Sequence, residues 1–315
     1  MQIAFFTEGG YSGKVSRNIP MRTDQAWVCA LNAIHHCIFK LNEVNQKYDI
    51  GVVIIPKEKN REHLVKQQYP LIDNIRNYCD KVIIMQEGCH WDWMEDPVDT
   101  MVWFYNQLLK ADLLLCHNDA DVKYYQGITD IKSFILPTLM IEDTVKTAPQ
   151  EDRVFVAGNW HTTYRGFDAW VIGQEFDLPM YGFKSGKFKQ NEELNGINYL
   201  PWMNWFEFMF ELSKCKYGVQ TYQASAGQFP LNCAYLGIPC IGYNDINTQK
   251  DLFPSLSVDR GDIVSARKLA NQLQTDKDFY REYVKIGKFN YDQWYKEEKF
   301  LENWNNILKY YENNR

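Results

Sequence analysis

The sequence predicts an α/β protein of doubly wound parallel sheets, arranged as two successive halves. Three observations predict it. Short β-branched runs alternate with longer amphipathic stretches. Those runs are apolar throughout instead of alternating with polar residues, which marks parallel strands covered on both faces. The pattern also halts at a polar stretch, Glu142 to Asp152, and then starts again. With 315 residues the chain has the length of one large or two ordinary domains, at about 150 residues each.

Taken in order, Ile3 to Thr7 reads as the first strand, followed by the loop Gly9-Gly10-Tyr11-Ser12-Gly13. Arg22 to Asn42 reads as one helix from the spacing of Trp27, Leu31, Ile34, Ile38 and Leu41. Ile50 to Ile55 is a continuous apolar strand that Pro56 stops, and Lys81 to Met85 is the next. The helical stretch Val98 to Lys110 precedes another strand at Leu113 to Cys116. The second series has strands at Val154 to Ala157, Pro179 to Gly182, Tyr217 to Thr221 and Cys240 to Tyr243. Between them lie helices at Phe167 to Glu175, Phe206 to Lys214 and Leu231 to Leu236. Tyr291 to Tyr311 reads as one closing helix, with Trp294, Tyr295, Phe300, Trp304 and Leu308 at packing positions. The expected division is a first domain over 1–145, a second over 152–288, and a closing helix over 289–315 that packs on the first.

Composition excludes several classes of function. Hydrophobic residues at 45% and charged ones at 23% rule out a disordered or collagen-like chain. A net charge of −6 argues against coating nucleic acid by bulk charge, while leaving room for a local basic cleft. Lys57, Lys59, Arg61 and Lys66 form one such stretch, which reads equally as a solvated helix face. The eight cysteines include no CxxC pair and no zinc spacing, so no metal site is expected and a reducing, cytoplasmic setting is. The start, Met1-Gln2-Ile3-Ala4-Phe5-Phe6, reads as a strand instead of a signal peptide. Residues 217–244 carry no charge, but Gly218, Gly227, Pro230, Gly237, Pro239 and Gly242 break them up, so they read as a domain interior and not a membrane span.

The most informative segment runs from Ser225-Ala226-Gly227-Gln228-Phe229-Pro230 through Asn232 to Gly237-Ile238-Pro239-Cys240. A glycine entering a helix exposes backbone N–H groups at the positive end of the helix dipole, which suits a diphosphate. The plainer alternative is ordinary punctuation between a strand, a helix and a strand.

This segment resembles the nucleotide-sugar domain of GT-B glycosyltransferases, where a strand leads through a Gly-Phe-Gly-Leu-Pro-like loop into a helix ending Gly-x-Pro. The resemblance implies two Rossmann-like domains facing a cleft, and transfer of a sugar from a nucleotide-diphosphate donor, UDP-sugar foremost, to a hydroxyl acceptor. It places Val156-Ala157-Gly158-Asn159 with Arg165-Gly166 at the first strand and loop of that domain, with Arg165 against the diphosphate. Lys184 and Lys187, in Tyr181-Gly182-Phe183-Lys184-Ser185-Gly186-Lys187, are further phosphate candidates. Pro201 and Trp202 fall where the family holds the nucleotide base, and Gly227, Gln228, Phe229 and Asn232 fall at the donor itself. Many retaining members carry two glutamates eight positions apart; Ala224 and Asn232 stand there in this chain, so retention or inversion stays open. The resemblance implies no further cofactor.

The layout also resembles phage enzymes that glucosylate hydroxymethylcytosine in DNA, which would act in a host cytoplasm. There an acidic base follows a strand of the first domain, and Glu87 is the counterpart. Transfer with inversion needs a base near the acceptor hydroxyl. In Gln86-Glu87-Gly88-Cys89-His90-Trp91-Asp92-Trp93, Glu87 is the first choice, with His90 and Asp92 behind it; the alternative for Glu87 is a solvated loop carboxylate. Trp91 and Trp93 either stack on a ligand or straddle core and surface. Asp119-x-Asp121 mimics a metal-binding pair but reads better as the start of a helix, and His117 reads as a hydrogen-bonded histidine. The Gly10 loop lacks Walker spacing and is either a donor-contacting loop or a plain turn. A glycan or lipid-linked sugar is the expected acceptor and DNA the alternative. A nucleotide-sugar epimerase and a two-lobed sugar-binding module are the competing functions.

Overall fold

The apolar runs pair into two parallel six-stranded sheets, one in each of two compact units. The computed structural model describes the chain apart from residues 20–22, 57–61, 95, 144, 159, 161–164, 184–190, 223–225 and 314–315; for 92, 192 and 193 it describes the backbone alone. One unit comprises Met1–Ile19, Thr23–Pro137 and Phe300–Arg315, the other Thr138–Lys299.

The first unit contains strands β1 (Ile3–Thr7), β2 (Ile34–Cys37), β3 (Tyr48–Val53), β4 (Cys79–Gln86), β5 (Leu113–Cys116) and β6 (Ser133–Ile135). Their order is β2-β1-β3-β4-β5-β6, every neighbouring pair parallel. Helices α1 (Thr23–Ala30), α2 (Glu62–Lys66), α3 (Leu71–Arg76), α4 (Val98–Leu108) and α5 (Asp119–Ile128) connect them. Register places Phe6, Val53, Ile84 and Leu114 in one row across four strands, and Phe5, Val52, Ile83 and Leu113 in the next. Adjacent residues of a strand point to opposite faces, and both rows are buried. That is why these strands read as unbroken apolar runs.

The second unit holds β7 (Val154–Ala157), β8 (Met180–Phe183), β9 (Asn198–Leu200), β10 (Tyr217–Gln220), β11 (Cys240–Tyr243) and β12 (Ser257–Val258). The order β12-β11-β10-β7-β8-β9, counted from β7, is the 3-2-1-4-5-6 arrangement of a doubly wound dinucleotide-type sheet. Helices α6 (Gly166–Gln174), α7 (Trp205–Ser213), α8 (Gln228–Leu236), α9 (Asn247–Leu252), α10 (Ile263–Thr275) and α11 (Lys277–Trp294) complete it, and α12 (Glu297–Asn313) closes the chain. Local signals set the helix ends. Asn204 and Glu207 form a reciprocal capping box on α7, Asp276 caps α11, and Gly237 ends α8 in a left-handed conformation at φ +71°.

Two expectations need correction. The single helix read over Arg22 to Asn42 is α1, then the edge strand β2, then a 3-10 turn at Ile38–Glu43. Asn32 adopts φ +48°, which ends helical winding, and Ile34–Cys37 supply the hydrogen-bonding partner that the free edge of β1 requires. Ile34, Ile38 and Leu41 fit a helical period and a strand followed by a turn equally well. The closing helix over Tyr291 to Tyr311 is likewise two helices. The backbone leaves the helix at Tyr295 (φ −123°, ψ 0°), a buried residue whose hydroxyl donates to Asp251 Oδ2 at 2.7 Å. Beyond the break, Phe300 packs its ring 5.0 Å from Trp27, and Lys81 pairs with Glu312 at 2.7 Å.

All eight cysteines are free thiols, and burial pushes Cys79 and Cys215 up to about 12. Among the described residues no helix is long and apolar enough to cross a membrane, and no cluster could hold a metal ion.

Candidate functional site

In the second unit, strand order reverses between β7 and β10, the position at which open α/β sheets bind ligands at their carboxyl ends. The loop leaving β7 passes through Gly158 and reaches Arg165, the residue before α6, at φ +48°. A left-handed arginine is uncommon and is held here from two sides. Its carbonyl accepts from Thr221 Oγ1, just past β10, at 2.9 Å, and its Nε donates to Asp168 Oδ2 at 2.7 Å. Tyr243 at the end of β11 donates its hydroxyl to the same Asp168 oxygen at 2.8 Å. Burial, then the Asp168 carboxylate, pushes the Tyr243 phenol up, so it stays a neutral donor. Arg165 is thus aimed by a fixed carboxylate while its two terminal nitrogens keep their donor capacity.

The loop leaving β10 enters α8 through Gly227 at φ +62°. Its carbonyl accepts from Thr248 Oγ1 at 2.8 Å. Among the described residues no side chain caps α8, its first turn has no acid, and Pro230 has no N–H, so the amides left for a ligand are those of Gln228 and Phe229. The Phe229 ring lies in the core, 5.5 Å from Phe155, so its backbone is the part offered to a ligand. Gln228 accepts from Thr138 Oγ1 at 2.5 Å and donates to Asn232 Oδ1 at 3.0 Å. Asn232 is buried, and that contact already engages its oxygen. Pro201 and Trp202 follow the edge strand β9, with Trp202 79% exposed. Lys184 and Lys187 lie outside the described residues, as do Lys57, Lys59 and Arg61.

Sequence reading missed Gln220, whose buried Oε1 at the end of β10 has no partner among the described residues. It missed the Asp168–Tyr243 buttress too. Both sit at strand or helix ends beside the reversal point, a position that only the strand order identifies.

In the first unit, Glu87 follows β4 and is half-buried; the side chain of Asp92 lies outside the described residues. His90 opens a 3-10 turn and pairs with Asp121 of α5. Asp121 Oδ1 accepts the His90 backbone N–H at 2.9 Å and lies 2.6 Å from Nδ1, while Oδ2 accepts from Asn118 Nδ2 at 2.7 Å. The helix start read at Asp121 belongs to Asn118, whose Oδ1 accepts from Asp121 N at 2.8 Å. Trp93 stacks flat on Phe104 with centroids 3.5 Å apart in the core, whereas Trp91 meets the His90 ring edge-on. His117 is buried with Nδ1 3.2 Å from the Leu136 carbonyl.

Gly10 is exposed in a loop fixed by the buried His35. His35 Nδ1 lies 2.8 Å from the Tyr11 carbonyl and Nε2 2.7 Å from Thr7 Oγ1, which also accepts Gly9 N–H at 3.0 Å. A carbonyl can only accept, so Nδ1 carries the proton, Nε2 accepts from the threonine hydroxyl, and the chain of donors is complete. The Tyr11 ring stacks on the imidazole at 3.7 Å, and Gly13 bridges to the His35 backbone.

A scan of protein-family models gives no match, and neither does a search of curated proteins. Solved structures do match. The S. aureus TarM complex with UDP is 12% identical, with a TM-score of 0.62 over 82% of this chain and 55% of that one, so this chain spans about half of TarM. An alpha-glucosyltransferase in complex with UDP and DNA is 13% identical, TM-score 0.62, over 98% of this chain and 99% of that one. Sucrose-phosphate synthase from Thermosynechococcus elongatus is 8% identical, TM-score 0.70, over 98% of both chains. At such identities the likeness is one of architecture, and it is shared along the whole chain: this protein has the GT-B fold.

Proposed function

We propose that this protein transfers a sugar from a nucleotide-diphosphate donor, a UDP-sugar foremost, to a hydroxyl acceptor. One observation carries the reading. At the strand reversal of the second unit, an aimed arginine and an uncapped helix N-terminus stand at the ends of adjacent strands. Arg165 and the Gln228 and Phe229 amides would hold the diphosphate, with Gly158 and Gly227 permitting close backbone approach. Trp202 and Pro201 would hold the base. Glu87, His90 and Asp92 are the candidate proton acceptors of the first unit. The structural neighbours bound to UDP support the donor class.

Titration with UDP, followed by assay of UDP release from a nucleotide-sugar panel, tests this. Binding in the micromolar range and slow donor hydrolysis are expected; a folded chain with neither would remove the reading. Turnover to an isomeric nucleotide sugar would identify an epimerase, and tight binding of free sugar without nucleotide affinity a binding module. Arg165→Ala is expected to weaken UDP by about 30-fold, roughly 2 kcal/mol for a lost charge-assisted contact. Trp202→Ala should weaken it about fivefold through lost stacking, roughly 1 kcal/mol, with no change in unfolding because the ring is exposed.

For the acceptor, the net charge of −6 favours a glycan or lipid-linked sugar over a polyanion. DNA is the second reading, supported by likeness over nearly all of an alpha-glucosyltransferase bound to DNA. Incorporation of labelled sugar into hydroxymethylated duplex, falling steeply with salt, would select DNA.

A further inference from the structure

We propose that the outer face of α4 is a dimerisation seam, on which a second copy of this chain seats its own α4 in the opposite direction. The inference is independent of the transferase reading.

Helix α4 runs over Val98–Leu108, and Leu109 continues it in helical conformation. It is apolar on two opposite faces. Trp103, Phe104 and Leu108 turn inward and are buried in the core of the first unit. Val98, Val102, Tyr105 and Leu109 are 70%, 51%, 39% and 54% exposed. At 3.6 residues per turn, these four fall within about 60° of one another. A helix that is hydrophobic all round belongs in an interior, yet nothing among the described residues covers this stripe.

The spacing points to a helix as the partner. Positions 98, 102, 105 and 109 are separated by four, three and four residues, the repeat with which a coiled-coil seam keeps facing its neighbour. A lipid surface requires no such register. It also favours cationic flanks, whereas Asp96 and Asp99 border the first turn here and the whole chain carries a net charge of −6.

Side-chain size and charge point to α4 itself as that helix, run antiparallel. A two-fold axis midway between positions 102 and 105 sets Val98 opposite the partner's Leu109 and Val102 opposite the partner's Tyr105. Every layer then joins a smaller side chain to a larger one, which fills the seam evenly. A parallel pair would stack Val on Val and Tyr on Tyr. The same axis brings like flanks together. Asp99 and Lys110 lie on one flank at opposite ends of α4. The antiparallel pair therefore places each Asp99 beside the partner's Lys110, whereas a parallel pair would set Asp99 against its own copy. An ion pair with Asp73 of α3 holds Lys110 in place and leaves it 40% exposed.

The size of the seam sets its strength. The four side chains supply on the order of 400 Å² per copy, against the roughly 1,200 Å² in total of a standard interface. Flanking Met101 and Asn106 must therefore join the contact, and association in the micromolar range is expected.

Sedimentation velocity of the full chain over a micromolar concentration series tests this. The unaltered chain should pass from monomer to a species of twice the chain mass. Val102→Glu and Leu109→Lys, both at exposed positions, should stay monomeric while keeping the circular dichroism of the unaltered chain. Asp99→Asn reads the direction. It should weaken dimerisation about fivefold, because two facing ion pairs are lost; tighter association would mean a parallel pair and overturn the antiparallel seam. A chain that is monomeric throughout the series would overturn the proposal. So would a dimer that survives both seam variants, since its interface would then lie elsewhere. Flotation of a monomeric chain with vesicles of phosphatidylcholine and phosphatidylglycerol, lost in Val102→Glu, would give the stripe to a lipid surface instead.

Discussion

Replacing Gly227 by alanine is expected to destabilise the protein by roughly 3 kcal/mol and to abolish UDP binding at donor concentrations that saturate the wild type. Two costs combine. Gly227 sits at φ +62°, where an L side chain costs about 1–2 kcal/mol. An added Cβ would also stand 1.8 Å from Thr248 Oγ1 and 3.0 Å from Ile246 Cγ2, in a packed region. Thr248 is not free to rotate without loss, because its hydroxyl donates to the Gly227 carbonyl. Relief therefore has to come from movement of the α8 N-terminus, where the Gln228 and Phe229 amides are presented. Denaturant unfolding and UDP titration measure the two effects. Combining Gly227→Ala with Thr248→Ala should recover the largest part of the overlap, that with Oγ1, and leave the close contacts with Cβ of residue 248 and with Ile246, together with the backbone part. A single variant with the wild-type unfolding midpoint would contradict the assigned geometry.

The stability of the first unit is expected to fall by about 3 kcal/mol as pH drops from 6.5 to 4, with His35 as the cause. Burial lowers His35 from 6.5 to about 4, outweighing the hydrogen bond to the Tyr11 carbonyl, which works the other way; His36 adds slightly to the lowering. Above pH 6.5 neither folded nor unfolded chain holds a proton at this site, and the stabilisation is complete. Between 6.5 and 4 the unfolded chain binds the proton and the folded one does not, so each pH unit costs about 1.4 kcal/mol. Below 4 both are protonated and no further loss accrues. His36, also lowered by burial, adds in the same direction. Urea unfolding at pH 7.5, 6, 5 and 4 gives the slope. His35→Gln should unfold more easily at pH 7.5 but lose most of the pH dependence; an unchanged slope would assign it to the carboxylates instead.

The fold was legible wherever a strand is buried on both faces. Leu113–Cys116, Val154–Ala157 and Cys240–Tyr243 coincide with runs visible in the sequence. It was illegible where one period serves two structures. Ile34 to Cys37 continues the spacing of α1, and only the need of β1 for a partner makes it a strand. Strands β9 and β12, three and two residues long, are too short for any pattern to register. In the candidate site, the positions of Gly227 and Arg165 just before helices were legible because a loop-to-helix transition leaves a local mark. Asp121 could not be paired with His90, 31 residues away, because their contact depends on β4 lying beside β5. Phe229 stands in the first turn of α8, where core packing, not the motif, turns its ring inward.

The closing helix has a consequence for how the chain is made. Residues 138–299 form an uninterrupted unit, whereas the other unit lacks its last segment until Phe300 and the residues after it have been made. Trp27, fully buried, meets the rings of Phe5 and His117 within the earlier segment and gains the Phe300 ring only then. During translation, at about 5–20 residues per second, the later-made unit can therefore mature before the earlier one. Until Phe300 emerges, the nascent N-terminal segment would hold Trp27 with one of its three ring neighbours missing, a natural client for a chaperone.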